Sequence, residues 1–189
     1  MKNAVFCLTF VIILLTGCRK SDTAREVRNP DTTEQFKEAV PVETTDSLSP
    51  MESIKANVAE INTGTSLSKK SYTFPCDETI KIDYYYNGAN IFKTVVDYGT
   101  VGDHYQKKEF YYQNNRLIFY HDFVEGGPAC EGCEMKLEKR WYLDNDKVIK
   151  YTENNEAKQC ETCVFSANSL PYAILRGFKT GSFENILCK

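Results

Sequence analysis

The sequence predicts an α+β domain: an antiparallel β-meander of about six strands, with an N-terminal amphipathic helix and a short C-terminal helix. Three observations lead there. A capped apolar pattern with spacings of three and four begins at Ser49. From Tyr72 to Glu153 the period shortens to two, interrupted by tight polar turns. After Ser169 a spacing of four returns. Spacings of three and four mark a helix with one apolar face, and a period of two marks a half-buried strand.

The first helix opens at "SPMESIKANVAEINTG". Ser49 and Glu52 stand in capping-box relation, each side chain able to reach the other's backbone amide. Pro50 falls at the first helical position, where its missing N–H costs nothing. Met51, Ile54, Val58 and Ile61 form one stripe and Gly64 ends it. The pattern predicts a helix over 50–62 that docks on a sheet.

The sheet follows as three passages of one grammar: "KIDYYYNGANIFKTVVDY", "KKEFYYQNNRLIFYHDF" and "EKRWYLDNDKVIKYTE". Their expected turns are Asn87-Gly88, Asn114-Asn115 and Asn145-Asp146, residue types that tolerate the positive φ of type I′ hairpins. A turn at 114–115 sets Tyr112 opposite Leu117, Phe110 opposite Phe119 and His121 opposite Lys108. Aromatic pairs recur at Tyr84, Tyr111 and Trp141, 27 and 30 residues apart, which reads as a hairpin repeat. Leu170, Ile174 and Phe178 predict the last helix over 169–178, with Pro171 in its first turn, then an extended end to Cys188. The carriers "YYYNGANIF", "FYYQNNRLIFY" and "WYLDNDKVIKY" make residues 50–153 resemble a group of Tyr-rich β-meander lipoproteins and periplasmic proteins of Gram-negative envelopes. That resemblance brings no activity with it.

Ahead of the domain, Lys2 precedes an apolar run from Ala4 to Thr16. The run suits a signal-peptide core and falls short of the roughly 20 residues of a spanning helix. Leu15-Thr16-Gly17-Cys18 resembles the lipobox of bacterial lipoproteins. The resemblance implies a signal peptide over 1–17, lipid (diacylglycerol and palmitate) on Cys18, and a membrane anchored through it. Arg19 stands where such lipoproteins carry a retention Asp, so the expected location is the cell envelope, at the outer membrane. Residues 18–48 are sparse in apolar groups and rich in Thr, Glu and Asp, a tether composition. Removing residues 1–17 from the 189-residue chain leaves 172, enough for that tether and one domain over 49–189.

A formal charge of −3 argues against a nucleic-acid partner, which wants a basic stripe. No GxSxG, P-loop or GxGxxG motif is present, and His104 and His121 stand in no triad spacing, so no catalytic residue is named. The expected function is a non-enzymatic binding or structural module of the envelope, with an envelope protein or a glycan as partner. The alternative is an envelope hydrolase or a thiol oxidoreductase. Tyr85, Tyr111, Tyr120, Tyr142 and Tyr151 are the candidate binding surface, an aromatic platform unless a helix covers that face or the rings are ordinary cross-strand packing.

Eight cysteines include Cys7 in the leader and Cys18 at the lipobox. The remaining even set, Cys76, Cys130, Cys133, Cys160, Cys163 and Cys188, favours disulfides in an exported protein. Cys76 and Cys188 are expected to pair. CxxC motifs at 130–133 and 160–163 flank one predicted hairpin and are expected at its open end. Disulfides between the two turns, which close the longer loop, are the leading expectation. A zinc ion on Cys130, Cys133, Cys160 and Cys163 and a redox-active CxxC are the alternatives.

Overall fold

The computed structural model describes residues 48–128 and 130–188. The expected signal peptide, Cys18 and the tether up to residue 47 lie outside the described residues. Helix α1 (Pro50–Thr63) comes first, then strands β1 (Ser68–Pro75), β2 (Thr79–Asn87), β3 (Asn90–Val101), β4 (His104–Gln113), β5 (Arg116–Gly126), β6 (Met135–Asp144), β7 (Lys147–Glu153) and β8 (Glu156–Ala157). Helices α2 (Leu170–Thr180) and α3 (Glu184–Leu187) close the order. The strands form one antiparallel sheet in chain order. The meander therefore has eight strands, not about six. β1, "SKKSYTFP", is an edge strand whose outer residues are Ser and Lys, a composition that suits an edge and hides the period. β8 has two residues and is made by a turn at Asn154-Asn155.

The capping box forms as the sequence requires: Ser49 Oγ accepts from the Glu52 amide at 3.3 Å, and the Ser49 amide donates to Glu52 Oε2 at 3.1 Å. Asn114-Asn115, Asn145-Asp146 and Asn154-Asn155 all take positive φ at both positions, as two-residue I′ turns demand. The first hairpin differs. Asn87 pairs with Asn90, so the turn is Gly88-Ala89 rather than Asn87-Gly88. Only Gly88 there takes positive φ, at 58°.

Four bulges reset the registers: one leaves Tyr98 extra in β3 against β4, and three follow hairpin turns. Tyr86 pairs with Ile91 and Tyr85 with Lys93, leaving Phe92 extra; Ile118 and Ile149 are extra in the next two hairpins. A bulge sets two consecutive side chains on one face. In "LIFY" (117–120) it sends Ile118 and Phe119 to the α1 side and Leu117 and Tyr120 to the α2 side. Tyr112 does oppose Leu117, but Phe110 opposes Tyr120, Tyr111 opposes Phe119, and His121 opposes Glu109 rather than Lys108.

Both faces of the sheet are packed. On one, α2 and α3 cover Ile82, Tyr84, Phe110, Tyr112, Leu117 and Trp141. On the other, Ile54 of α1 packs with Tyr111, Ile118 and Phe119. Tyr111 thus lies on the opposite face from Tyr84 and Trp141, and the aromatic recurrence is not a same-face repeat. α2 stops at Gly181, which takes φ 67°. The chain then turns back as α3 instead of running extended, and the Phe183 ring lies where a Cβ on Gly177 would fall.

Candidate functional site

Beside α1 lies a groove of about 210 Å³. Its floor is Phe92 and Ile118, both bulge residues that strict alternation would have placed differently. Asn57, Glu60 and Ile61 of α1 form one wall, and Asn87 and Gln113, at two hairpin turns, form the rim. A second hollow, of about 390 Å³, opens beside Cys76 and Cys188 and is lined by Asp77, Glu78, Tyr98 and Leu187.

Further along the α1 face a polar network crosses four strands. Glu109 accepts from Lys93 at 3.3 Å and Lys107 at 3.2 Å. The Tyr111 hydroxyl stands 2.9 Å from Glu109 Oε2 and 3.0 Å from Asn62 Oδ1, and its single proton serves one at a time. Lys93 also donates to Asn62 at 2.9 Å, which links the network to α1. His121 stands between two carboxylates, Nε2 at 2.8 Å from Glu138 and Nδ1 at 3.7 Å from Glu109. Arg140 bonds Glu138 and Asn155.

Burial opposes the charge on Glu109, but the neighbouring His121 ring, the ammonium groups of Lys93 and Lys107 and the Tyr111 hydroxyl outweigh it and hold the carboxyl well below the usual range. Burial also holds the Lys93 ammonium below its ordinary range, with Glu109 working against it. His121 meets carboxylates here yet lines neither groove. A general base must reach a substrate proton, and both nitrogens of His121 already face partners. His104 opens β4 opposite Gly126.

The five tyrosines do not make a platform. Tyr120 and Tyr151 lie on the α2 side of the sheet and are buried, Tyr120 stacked on Trp141 at a centroid distance of 4.3 Å and Tyr151 tilted against it at 4.9 Å. Tyr111 is buried beneath α1. Tyr142 packs at the margin of that helix, and Tyr85 lies between Lys69 and Lys93 at 5.5 and 6.0 Å. The bulges scatter the set across both faces, and α1 covers the centre of the face that Tyr85, Tyr111 and Tyr142 share.

Cys76 pairs with Cys188, with Cα atoms 5.3 Å apart. The CxxC motifs do not cross-link: Cys130 pairs with Cys133 and Cys160 with Cys163. The turn at Asn154-Asn155 is the cause. It sends the chain back along β7, where the Val148 amide donates to Cys163 O at 2.9 Å and the Phe165 amide to Asp146 O at 2.9 Å. Cys130 and Cys133 stay at the other end of β6, next to the Gly126–Met135 pair. At about 3.3 Å per residue the two motifs stand roughly 20–30 Å apart. A shared four-thiolate zinc site needs every sulfur at about 2.3 Å from one ion, so this arrangement cannot form it. Among the described residues no group of three or more His, Cys, Asp or Glu is placed to hold a metal ion.

The groove was not named from the sequence. Its signal is there in the adjacent apolar pairs Ile91-Phe92 and Leu117-Ile118, directly after a turn, which mark a bulge. No protein-family model, no curated protein and no solved structure matches the chain.

Proposed function

We propose that the chain is a lipid-anchored protein of the bacterial cell envelope, at the outer membrane, whose domain is a binding module carried on a tether. One observation carries the reading: all six cysteines of the domain fall into three bonding pairs. Such complete pairing belongs to an oxidising compartment and agrees with the lipobox reading of residues 15–18. The groove beside α1 supports binding to an envelope protein or a glycan, because it brings amide side chains and an aromatic ring to one concave place. Labelled palmitate should mark the protein in cells, and Cys18→Ala should abolish the label and release the chain from the membrane fraction. Label that persists in Cys18→Ala overturns the anchor.

A second reading, thiol exchange, rests on each CxxC closing on itself, as a redox disulfide does. Against it, Glu131 and Glu161 sit inside the motifs, where a carboxylate disfavours the thiolate, and neither motif opens a helix. A disulfide-reductase assay that loses turnover in Cys130→Ser or Cys160→Ser would favour it over the binding reading.

A further inference from the structure

We infer that the groove beside α1 takes a single uncharged pyranose ring, free or at the end of a glycan chain; the inference rests on the binding-module reading above. Size comes first. At about 210 Å³ the space is smaller than the roughly 300–1,000 Å³ of drug-sized sites and suits one ring. Charge comes next. No Lys, Arg or His lines it, and Glu60 is its single ionisable carboxylate. A phosphate or an acidic ligand would find no counter-charge there.

The donor set points the same way. A carboxamide both donates and accepts hydrogen bonds, which matches a sugar hydroxyl that also does both. Asn62, Asn145, Asn154 and Asn155 use their side chains to hold the fold. Asn57, Asn87 and Gln113 make no side-chain hydrogen bond among the described residues, and all three converge on the groove. Phe92 supplies the remaining element. An aromatic face is electron-rich and attracts the slightly positive C–H face of a pyranose. The bulge at Phe92 brings that ring to the α1 side together with Lys93, whereas unbroken alternation would put the two on opposite faces. An extended peptide suits the place less well. It needs a free row of strand backbone groups, and the groove is bounded by a helix, the α1–β1 connection at residues 64–67 and two hairpin turns, not by an open strand edge.

The test is a titration of isotope-labelled full-length protein with glucose, galactose and N-acetylglucosamine, each to tens of millimolar, read by nuclear magnetic resonance. At least one sugar should shift the side-chain amide signals of Asn57, Asn87 and Gln113 saturably. Phe92→Ala should weaken that binding at least about tenfold, and Phe92→Trp should retain it. Gln113→Ala, at an exposed turn flank, reports the same loss if Phe92→Ala disturbs the fold. Methyl glycosides of the same sugars separate a chain end, which they mimic, from a free sugar. No saturable shift with any of the three sugars overturns the inference. So does binding that survives both Phe92→Ala and Gln113→Ala. A photo-crosslinker at Asn57 keeps the two readings apart. If the sugars fail and the crosslinker captures an envelope protein that Phe92→Ala releases, the sugar assignment falls and the binding module stands.

Discussion

Tyr84 and Tyr112 are fully buried, and each hydroxyl donates to a carbonyl of α2, Tyr84 to Ile174 O at 2.7 Å and Tyr112 to Pro171 O at 2.8 Å. The sequence pattern set Tyr112 opposite Leu117 and Tyr84 in the recurring aromatic pairs; the partner of each hydroxyl was not legible, because it depends on where a distant helix lands. Removing the Tyr84 hydroxyl deletes one buried bond, and removing that of Tyr112 also deletes its 3.3 Å contact with Thr94 Oγ1, so Tyr84→Phe and Tyr112→Phe should each cost about 1–2 kcal/mol in urea unfolding. A loss of a few tenths in both would mean that α2 is held by apolar contact alone. Glu109 makes a pH-dependent contribution. Its folded-state carboxyl is held below the ordinary glutamate value of 4.5, so its stabilisation is full above that value and drains away as the pH falls below it. Glu109→Gln should therefore lower stability at neutral pH, where it leaves Lys93 without its counter-charge, and flatten the acid limb. Urea midpoints taken from neutral pH down to about pH 3 check this; an acid limb of unchanged slope would show that other carboxylates govern it.

The three bulges that follow hairpin turns show how one sequence device serves three purposes. Each returning strand places its extra residue third after the turn: Phe92, Ile118 and Ile149. Ile118 is buried under α1, Phe92 floors the groove, and Ile149 remains 46% exposed. The costs of truncation should follow that order of burial. Ile118→Ala should lose about 2–4 kcal/mol, as core Ile→Ala changes do, while Ile149→Ala should stay within about 0.5 kcal/mol. Equal losses at the two positions would show that the bulge backbone, not the side chain's surroundings, sets the cost. Turn chemistry made the hairpins legible, since Asn-Asn and Asn-Asp announce positive φ. The bulges lay in plain view as apolar doublets, but a two-residue alternation has no place for them. Every facing pair beyond each bulge was therefore displaced by one residue, and with it the supposed tyrosine face. The site suffered most from this shift, because a one-residue slip exchanges the two faces of a strand.

The molecule as a whole is closed by Cys76–Cys188, which joins the end of β1 to the segment after α3 across a sequence separation of 112. Sequence logic could reach this pair by elimination. The fate of the other four cysteines hung on one turn, Asn154-Asn155, and on the strap it directs back along β7. The three bridges should not matter equally. In the chain-entropy account a loop of that length stabilises by nearly 5 kcal/mol, whereas a four-residue CxxC loop stabilises by only about 2. Position modifies this. The Cys160–Cys163 strap leads directly to Phe165, which is buried and packs edge-on against Tyr120 at 6.1 Å. Cys130–Cys133 sits in the β5–β6 connection and supports no comparable core residue. The expected order of loss in Cys→Ser pairs is therefore Cys76/Cys188 first, Cys160/Cys163 second and Cys130/Cys133 last. Urea unfolding of the exported full-length variants, with thiol alkylation to confirm that the remaining bridges are intact, measures it. If Cys130→Ser/Cys133→Ser destabilises as much as Cys76→Ser/Cys188→Ser, loop length is not what these bonds contribute, and native contacts around the CxxC turn carry the effect instead.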